Sequence, residues 1–180
     1  MTIETITTEN LLLRKLTPEV YNFIFNTFSE ADIIAFLGLE SQTDFSKEKD
    51  KFEKGLTTYN RSFVNFQIIE KSSNEIIGAC GFHTWYTEHA RAEIGYALKD
   101  DRFKGKGVMT EALSEVIAYG FNTMKLNRIE AFIGTNNVAS LKLVAKMGFS
   151  KEGLLRQHYC KNNFMEDSVV FSLLKSEYLQ

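Results

Sequence analysis

The stretch RFKGKGVMTEAL, residues 102–113, places two glycines two positions apart directly before a helical pattern. A helix N-terminus presents unpaired backbone N–H groups and a partial positive charge. Glycines let that backbone approach a bulky anion, and Arg102, Lys104 and Lys106 add positive charge around the turn. The stretch therefore predicts a phosphate-binding turn, with a tight turn and solvated lysines as the alternative.

The segments around this turn alternate between strand and helix patterns. Strands are predicted at residues 10–16, 62–71, 76–85, 92–98, 127–133 and 169–174, with another near 155–160. Helices are predicted from Pro18 to about Tyr59, over 108–124, where apolar residues recur at a period near 3.6, and over 137–147. This order predicts an α/β sheet of mixed strand direction, in a single domain spanning residues 1–180.

Composition excludes several classes of protein. The chain has 180 residues, of which 44% are hydrophobic and 24% charged, as in an ordinary globular domain. A net charge of −2 gives no support to nucleic-acid binding, and no run of about 20 apolar residues predicts a membrane span. Two cysteines are too few for a zinc site, so no metal is predicted. The first ten residues lack a signal-peptide pattern, which favours a cytoplasmic protein.

The spacing of the glycines distinguishes between phosphate motifs. A P-loop needs four residues between its glycines and a following Lys-Ser/Thr pair, and the dinucleotide fingerprint needs a third glycine. The pattern here is Arg102-x-x-Gly105-x-Gly107. It resembles the acetyl-CoA pyrophosphate loop of the GCN5-related N-acetyltransferases (GNAT), which is written Gln/Arg-x-x-Gly-x-Gly/Ala.

Other segments extend this resemblance over most of the chain. TTENLLLRKL (7–16) is similar to the first strand of the RimJ/RimL type, which acetylates ribosomal-protein N-termini, although Asn10 replaces a frequent arginine. AEIGYAL (92–98) resembles the fourth strand of the family, and NNVASLKLVAKMGF (136–149) resembles a later helix. The resemblance implies a GNAT-like α/β (α+β) domain. Its mixed, mostly antiparallel sheet would be flanked by helices and splay between strands 4 and 5, with acetyl-CoA in the wedge.

The resemblance also implies which residues bind the cosubstrate. The pyrophosphate loop would comprise Arg102, Phe103, Lys104, Gly105, Lys106, Gly107 and Val108, mostly through backbone amides. The backbone of Ala97 and Leu98 would pair with the pantetheine arm like an added strand. Asn137 would bond to the same arm from the start of its helix, and a plain helix cap is the alternative for this residue.

Two residues are candidates for the chemistry. Many family members carry a tyrosine acid at the position of Val144, and its absence directs attention to Ser140 as the group that serves the leaving thiolate. Ser140 has the alternative of an ordinary polar residue in the first helical turn. Glu93 is a candidate base, with a solvated surface carboxylate as the alternative. A carboxylate sometimes offered as base appears here as His158 or Tyr159, so that role does not transfer.

These observations predict an acetyl-CoA-dependent N-acetyltransferase acting on a primary amine. A protein N-terminal α-amine, such as that of a ribosomal protein, is one acceptor class. The alternatives are a small amine (polyamine, amino acid or aminoglycoside) and a non-catalytic CoA-binding module. Neither nucleic acid nor a membrane is predicted as a partner, and a homodimer is left open. Trp85 and Tyr86 are predicted either to wall the acceptor site or to pack as ordinary aromatics.

Overall fold

The computed structural model describes residues 1–58 and 60–178. Within these ranges the strands are β1 (Thr5–Thr7), β2 (Leu11–Leu16), β3 (Ser62–Glu70), β4 (Glu75–Tyr86), β5 (Arg91–Leu98), β6 (Arg128–Gly134), β7 (Ser150–Lys161) and β8 (Phe164–Leu174). The helices are α1 (Pro18–Thr27), α2 (Glu30–Leu37), α3 (Gln42–Glu53), α4 (Val108–Asn122), α5 (Val138–Lys146) and α6 (Lys175–Tyr178).

The predicted strands and helices are confirmed, and two short elements, β1 and α6, were not predicted. The helical region after Pro18 divides into α1, α2 and α3. Each of these helices begins after a hydroxyl residue whose side chain accepts a backbone N–H three residues on; the caps are Thr17, Ser29 and Ser41. Tyr59, where this region was predicted to end, lies outside the described residues.

The sheet has the predicted mixed, mostly antiparallel character. Among the described residues its strand order is β1-β2-β3-β4-β5-β6-β8-β7, and β5 with β6 is the parallel neighbouring pair. The main core lies between one sheet face and α4 and includes the buried side chains of Phe66, Phe82, Val116 and Phe121. A smaller cluster joins α1 to the end of β2. No helix in ranges 1–58 and 60–178 is long and apolar enough to cross a membrane.

The parallel pair β5–β6 opens into a wedge. Its ladder joins Arg91–Glu93 to Arg128–Glu130, whereas β5 continues to Leu98 and β6 to Gly134. Beyond the ladder, the edges of β5 and β6 that face each other across the gap pair with no strand of the described residues. This is the splay predicted between the fourth and fifth strands, which become β5 and β6 because β1 precedes them.

Ion pairs fix the closed end of the wedge. Arg91 Nη1 on β5 donates to Glu130 Oε2 on β6 at 2.8 Å, and Arg128 Nε donates to Glu130 Oε1 at 2.8 Å. Arg128 also binds both carboxylate oxygens of Glu152 on β7, at 2.7 and 2.5 Å. The bonds from Arg128, helped by Ser172, lower the pKa of Glu152 to about 2. These ion pairs hold β5 and β6 together at one end, and the two strands separate beyond it.

Candidate active site

The turn before α4 has the geometry of an anion-binding site. Gly105 and Gly107 adopt left-handed φ angles of 72° and 82°, and a Cβ built at either position would have no neighbour within 4 Å. Gly107 is the N-cap of α4, and no side chain among the described residues caps this helix. The first bond within the helix runs from Glu111 N to Gly107 O at 3.0 Å. The N–H groups of residues 108–110 are therefore available to a ligand.

Two of the three cations predicted around the turn are already paired with carboxylates. Arg102 Nη2 binds Glu75 Oε1, and Arg102 Nε lies 3.6 Å from Asp100 Oδ2. Lys104 Nζ lies 2.5 Å from Asp101 Oδ1. These pairs reduce the positive potential that the two side chains contribute. The N-terminus of α4 therefore contributes a larger share of the positive potential at the turn than the sequence predicted.

The remaining residues of the turn divide between anchors and surface. The Phe103 side chain is 5% exposed in the main core, and Val108 packs against the same core from the first position of α4. Lys106, between the two glycines, is exposed. Buried anchors on both sides therefore fix the backbone of the turn, while Lys106 adds a cation at its surface.

The residues predicted to hold the pantetheine arm border the wedge. Ala97 and Leu98 pair with Ala79 and Gly78 of β4, and they lie beyond the end of the β5–β6 ladder. Their other backbone edge is open to an extended ligand. Asn137 is the cap of α5, because its Oδ1 accepts from Ser140 N at 3.2 Å. Its amide nitrogen is the group that remains for a ligand.

The wedge contains a cleft of about 230 Å³ that collects polar side chains from separate segments. Its lining includes the predicted residues Glu93, Asn137 and Ser140, together with His83, Tyr96 and Tyr159. Glu93 and Tyr96 point to opposite faces of β5 because they are three residues apart. Both reach the cleft because it passes between the splayed strands.

Glu93 is held by two neighbours. The residue is 9% exposed, so Glu93 is not a solvated surface carboxylate. The Tyr159 hydroxyl donates to Glu93 Oε1 at 3.1 Å, and His83 Nε2 lies 3.1 Å from the same oxygen. Burial raises the pKa of Tyr159 to about 12, and the charge and hydrogen bond of Glu93 act in the same direction. Tyr159 therefore stays a donor at neutral pH, and Glu93 Oε2 is left for a substrate amine or water.

Ser140 has a second hydroxyl beside it. The Tyr96 hydroxyl is buried and makes no hydrogen bond of ordinary geometry within the described residues. Desolvation raises its pKa, while the nearby Ser140 side chain opposes the shift. Because Ser140 is near but outside ordinary hydrogen-bond geometry, the Tyr96 hydroxyl is available to a ligand in the cleft.

The sequence did not identify His83 or Tyr96 as site residues, and it gave Tyr159 no role as the base. Val144, which replaces the usual tyrosine acid, is 1% exposed in the core and brings no polar group to the cleft. Trp85 packs partly against the main core, and the Arg91 guanidinium lies 4.1 Å from the Tyr86 ring centroid. Neither aromatic lines the cleft around Glu93.

Comparisons with known proteins agree with this geometry. A family model described as "Acetyltransferase (GNAT) domain" matches residues 10–150. The uncharacterized N-acetyltransferase p20 of Bacillus licheniformis is 38% identical over 177 residues, which cover 98% of this chain and 99% of the relative. The [ribosomal protein uS5]-alanine N-acetyltransferase of Escherichia coli is 31% identical over 109 residues, which cover 60% of this chain and 56% of the relative.

Solved structures show the same fold. A spermidine/spermine N-acetyltransferase of Vibrio cholerae superposes with a TM-score of 0.69 at 21% identity, covering 94% of this chain and 97% of the other. The sheet is splayed between β5 and β6, and α4 begins after Gly107 without a side-chain cap from the described residues. These features belong to an acetyltransferase fold. The chain belongs to the GNAT family and is an N-acetyltransferase. The family uses acetyl-CoA, and the open turn, the free β5 edge and the unpaired Tyr96 hydroxyl fit such a cosubstrate.

Substitution of Gly107 by valine is expected to weaken acetyl-CoA binding about tenfold or more, or roughly 1.4 kcal/mol. A branched side chain disfavours the left-handed backbone and places methyl groups beside the N–H groups of α4. Isothermal titration calorimetry measures the affinity. Gly55→Val is the matched control, because Gly55 has a φ of 91° and equally open surroundings away from α4. Similar affinities for the two folded variants would contradict a role for Gly107.

Proposed function

We propose that this N-acetyltransferase acetylates the α-amine of a peptide or protein N-terminus. The observation that carries the proposal is the meeting of three cavities at His83, beside the buried Glu93. The catalytic cleft of about 230 Å³ is one. A cavity of about 470 Å³ lies beneath α1–α3, and one of about 410 Å³ borders residues 55–58. A site of this shape accommodates an amine whose carbon carries two extended branches, as an N-terminal residue does.

The charges around these cavities favour an acceptor with one ammonium group. Among the described residues that line them, the carboxylates are Glu48 and Glu93, and Arg61 is a cation. Lys51 Nζ already pairs with Glu48. A polyamine carries several ammonium groups, and each needs a carboxylate when it leaves water. The likeness to the Vibrio cholerae spermidine/spermine enzyme, at 21% identity, concerns the fold alone.

The cavity at residues 55–58 supports a peptide acceptor. Its lining includes Thr57, Thr58, Ser62 and Asn65, whose hydroxyl and amide groups can bond to peptide N–H and C=O groups. Such a surface suits the residues that follow the first one of a polypeptide. The Escherichia coli relative is named for an alanine of ribosomal protein uS5, which agrees with a protein acceptor.

Glu93 is the proposed base. An α-amino group titrates near 7.7–8.0, so a carboxylate at hydrogen-bond distance, or acting through one water, suffices to remove its proton. Tyr159 and His83 fix Glu93 Oε1, and Oε2 accepts a proton from the ammonium group before the neutral nitrogen attacks the acetyl carbonyl. The proposed donors to the negative charge on that carbonyl oxygen are backbone N–H groups of β5 beyond the ladder, which have no partner on β6.

Ser140 is the proposed donor to the leaving thiolate. The nitrogen adds to the carbonyl carbon first and then loses its second proton. The carbon–sulfur bond breaks as this intermediate collapses, the sulfur keeps the electron pair, and the thiolate is finally protonated to the thiol. The Ser140 hydroxyl then provides a hydrogen bond or a proton from the first turn of α5. Tyr96, beside it in the same cleft, supports this donation.

A panel of acceptors tests the proposed function. We expect peptides with a free α-amine to show kcat/KM values at least about tenfold above spermidine, a free amino acid and an aminoglycoside. CoA release measures the rate, and mass spectrometry locates the acetyl group. The same peptides with a formylated N-terminus and one internal lysine are the control and should be inert. Preferred acetylation of spermidine, or of the blocked peptides at lysine, would refute the proposal.

A further inference from the structure

Three small residues of β4 and β5, namely Ala79, Gly95 and Ala97, form part of the floor of the 470 Å³ cavity. Ala79 of β4 pairs with Ala97 of β5, and Gly81 pairs with Gly95. The next pair along the same two strands is His83 with Glu93. Because alternate residues share a face, these three pairs form one row that leads from the carboxylate into the cavity.

This row lies between the cavity and the catalytic cleft. A Cβ at Gly95 would lie 2.8 Å from His83 Cε1, so only glycine lets the imidazole lie against the strand at this point. Glycine within a strand weakens it and often marks a place where a ligand approaches closely. His83, Gly95 and Tyr96 border both spaces, which are therefore adjacent.

The walls of the cavity are mostly apolar. They include the side chains of Leu16, Tyr21, Leu37 and Leu39 from β2, α1 and the region of α2. Two of the polar groups of the wall, Gln67 and Glu48, are already bonded to protein. The buried amide of Gln67 accepts from Arg14 Nε at 2.7 Å and donates to Phe36 O at 3.1 Å. An apolar group entering this cavity loses contact with water and leaves the bonds of Gln67 and Glu48 intact.

We propose that this cavity binds the side chain of the acceptor's first residue and selects large apolar residues such as leucine, isoleucine, methionine and phenylalanine. The inference rests on the proposed function, because it places the α-amine at Glu93. One step along the row, two residues on a strand, spans about 7 Å. This separation from Glu93 to the start of the cavity is comparable with the reach of such a side chain from its own amine.

Peptide binding tests the proposal independently of turnover. The probes are peptides identical except for a first residue of leucine, phenylalanine, alanine or serine, titrated calorimetrically into the enzyme saturated with CoA. We expect the leucine and phenylalanine peptides to bind at least about tenfold more tightly than the alanine peptide, since each buried methylene contributes roughly fourfold. Equal affinities in the wild-type protein would overturn the proposal.

A second test reduces the volume of the cavity by enlarging the side chain of Ala79. Ala79 is exposed to the cavity, so Ala79→Leu occupies the space with little strain. We expect the leucine peptide to lose its advantage, to within about twofold of the alanine peptide. Ala79→Val is the smaller replacement should the leucine variant fold poorly. Ala31→Leu, on an exposed face of α2 outside the cavity lining, is the matched control and should keep the preference.

The outcomes separate this proposal from the proposed function. A preference for apolar first residues in binding, without acetylation of any peptide, would reject the proposed function and retain the cavity assignment. Acetylation of every peptide with equal affinities would do the reverse. A preference that persists unchanged in folded Ala79→Leu and Ala79→Val would place the side chain elsewhere and overturn the assignment.

Discussion

Replacement of Glu93 by glutamine is expected to lower kcat by about 10²–10³-fold, within the range for loss of a general base. Glutamine has nearly the same shape and still accepts a hydrogen bond from the Tyr159 hydroxyl, but it cannot take a proton from an ammonium group. Acetyl-CoA affinity should change by less than about twofold, because the α4 turn and the β5 edge do not involve this side chain. Steady-state kinetics with an N-terminal peptide and calorimetry with acetyl-CoA give the two values.

The pH dependence adds a second test of Glu93. Above the α-amine pKa, near 7.7–8.0, a growing fraction of the acceptor arrives neutral, so less depends on the base. The defect of Glu93→Gln should therefore shrink as the pH rises from 7 to 9. Glu130→Gln is the matched control, because Glu130 stands opposite Glu93 in the ladder but bonds to Arg91 and Arg128. A defect that does not vary with pH, or an equal one in Glu130→Gln, would argue against Glu93 as the base.

The sequence predicted the fold well because its helices and longer strands carry strong patterns. The period of 3.6 in α4 and the alternation in β3 reflect which side chains are buried, and burial is what the fold requires. β1 was missed because three residues show no pattern of this kind. Backbone pairing holds this strand instead, with Thr5 opposite Arg14 and a bond from Lys15 N to Glu4 O of 2.9 Å. Such pairing leaves no compositional trace.

The candidate site was predicted only in part because it depends on register and on distant contacts. Glu93 and Ser140 were found from local motifs. His83 faces Glu93 because the β4–β5 ladder runs without interruption up to this pair and is irregular after it. A shift by one residue would turn His83 to the other face. Tyr159 reaches Glu93 from 66 positions away, which no local motif reveals.

The charges around the glycine turn before α4 also depend on contacts between distant segments. Lysine and arginine counts suggested three cations near the glycines, but β4 brings Glu75 to Arg102, and the turn itself brings Asp101 to Lys104. Pairing between segments decides how much of a charge acts on a ligand. The backbone contribution of α4, in contrast, followed directly from glycines placed before a helix.

Removal of the hydroxyl of Ser140 is expected to lower kcat by about 10²-fold, the low end for general acid catalysis. Acetyl-CoA affinity should be nearly unchanged, because Asn137 caps α5 through the backbone of residue 140 and not through the serine hydroxyl. Single-turnover kinetics of Ser140→Ala measure the chemical step without product release. Full activity in this variant would remove Ser140 from the reaction and leave Tyr96 or Tyr159 as the donor.

Tyr96→Phe distinguishes a supporting hydroxyl from a structural one. The buried Tyr96 hydroxyl lacks a partner among residues 1–58 and 60–178, so its removal should stabilise the free protein by up to about 1 kcal/mol. The same change should lower kcat about tenfold if the hydroxyl supports Ser140, and the double variant should then be no slower than Ser140→Ala alone. Denaturant unfolding and kinetics on the three variants decide the matter. Stabilisation combined with lost activity would identify a hydroxyl retained for catalysis, whereas unchanged kcat in Tyr96→Phe would leave Ser140 to act alone.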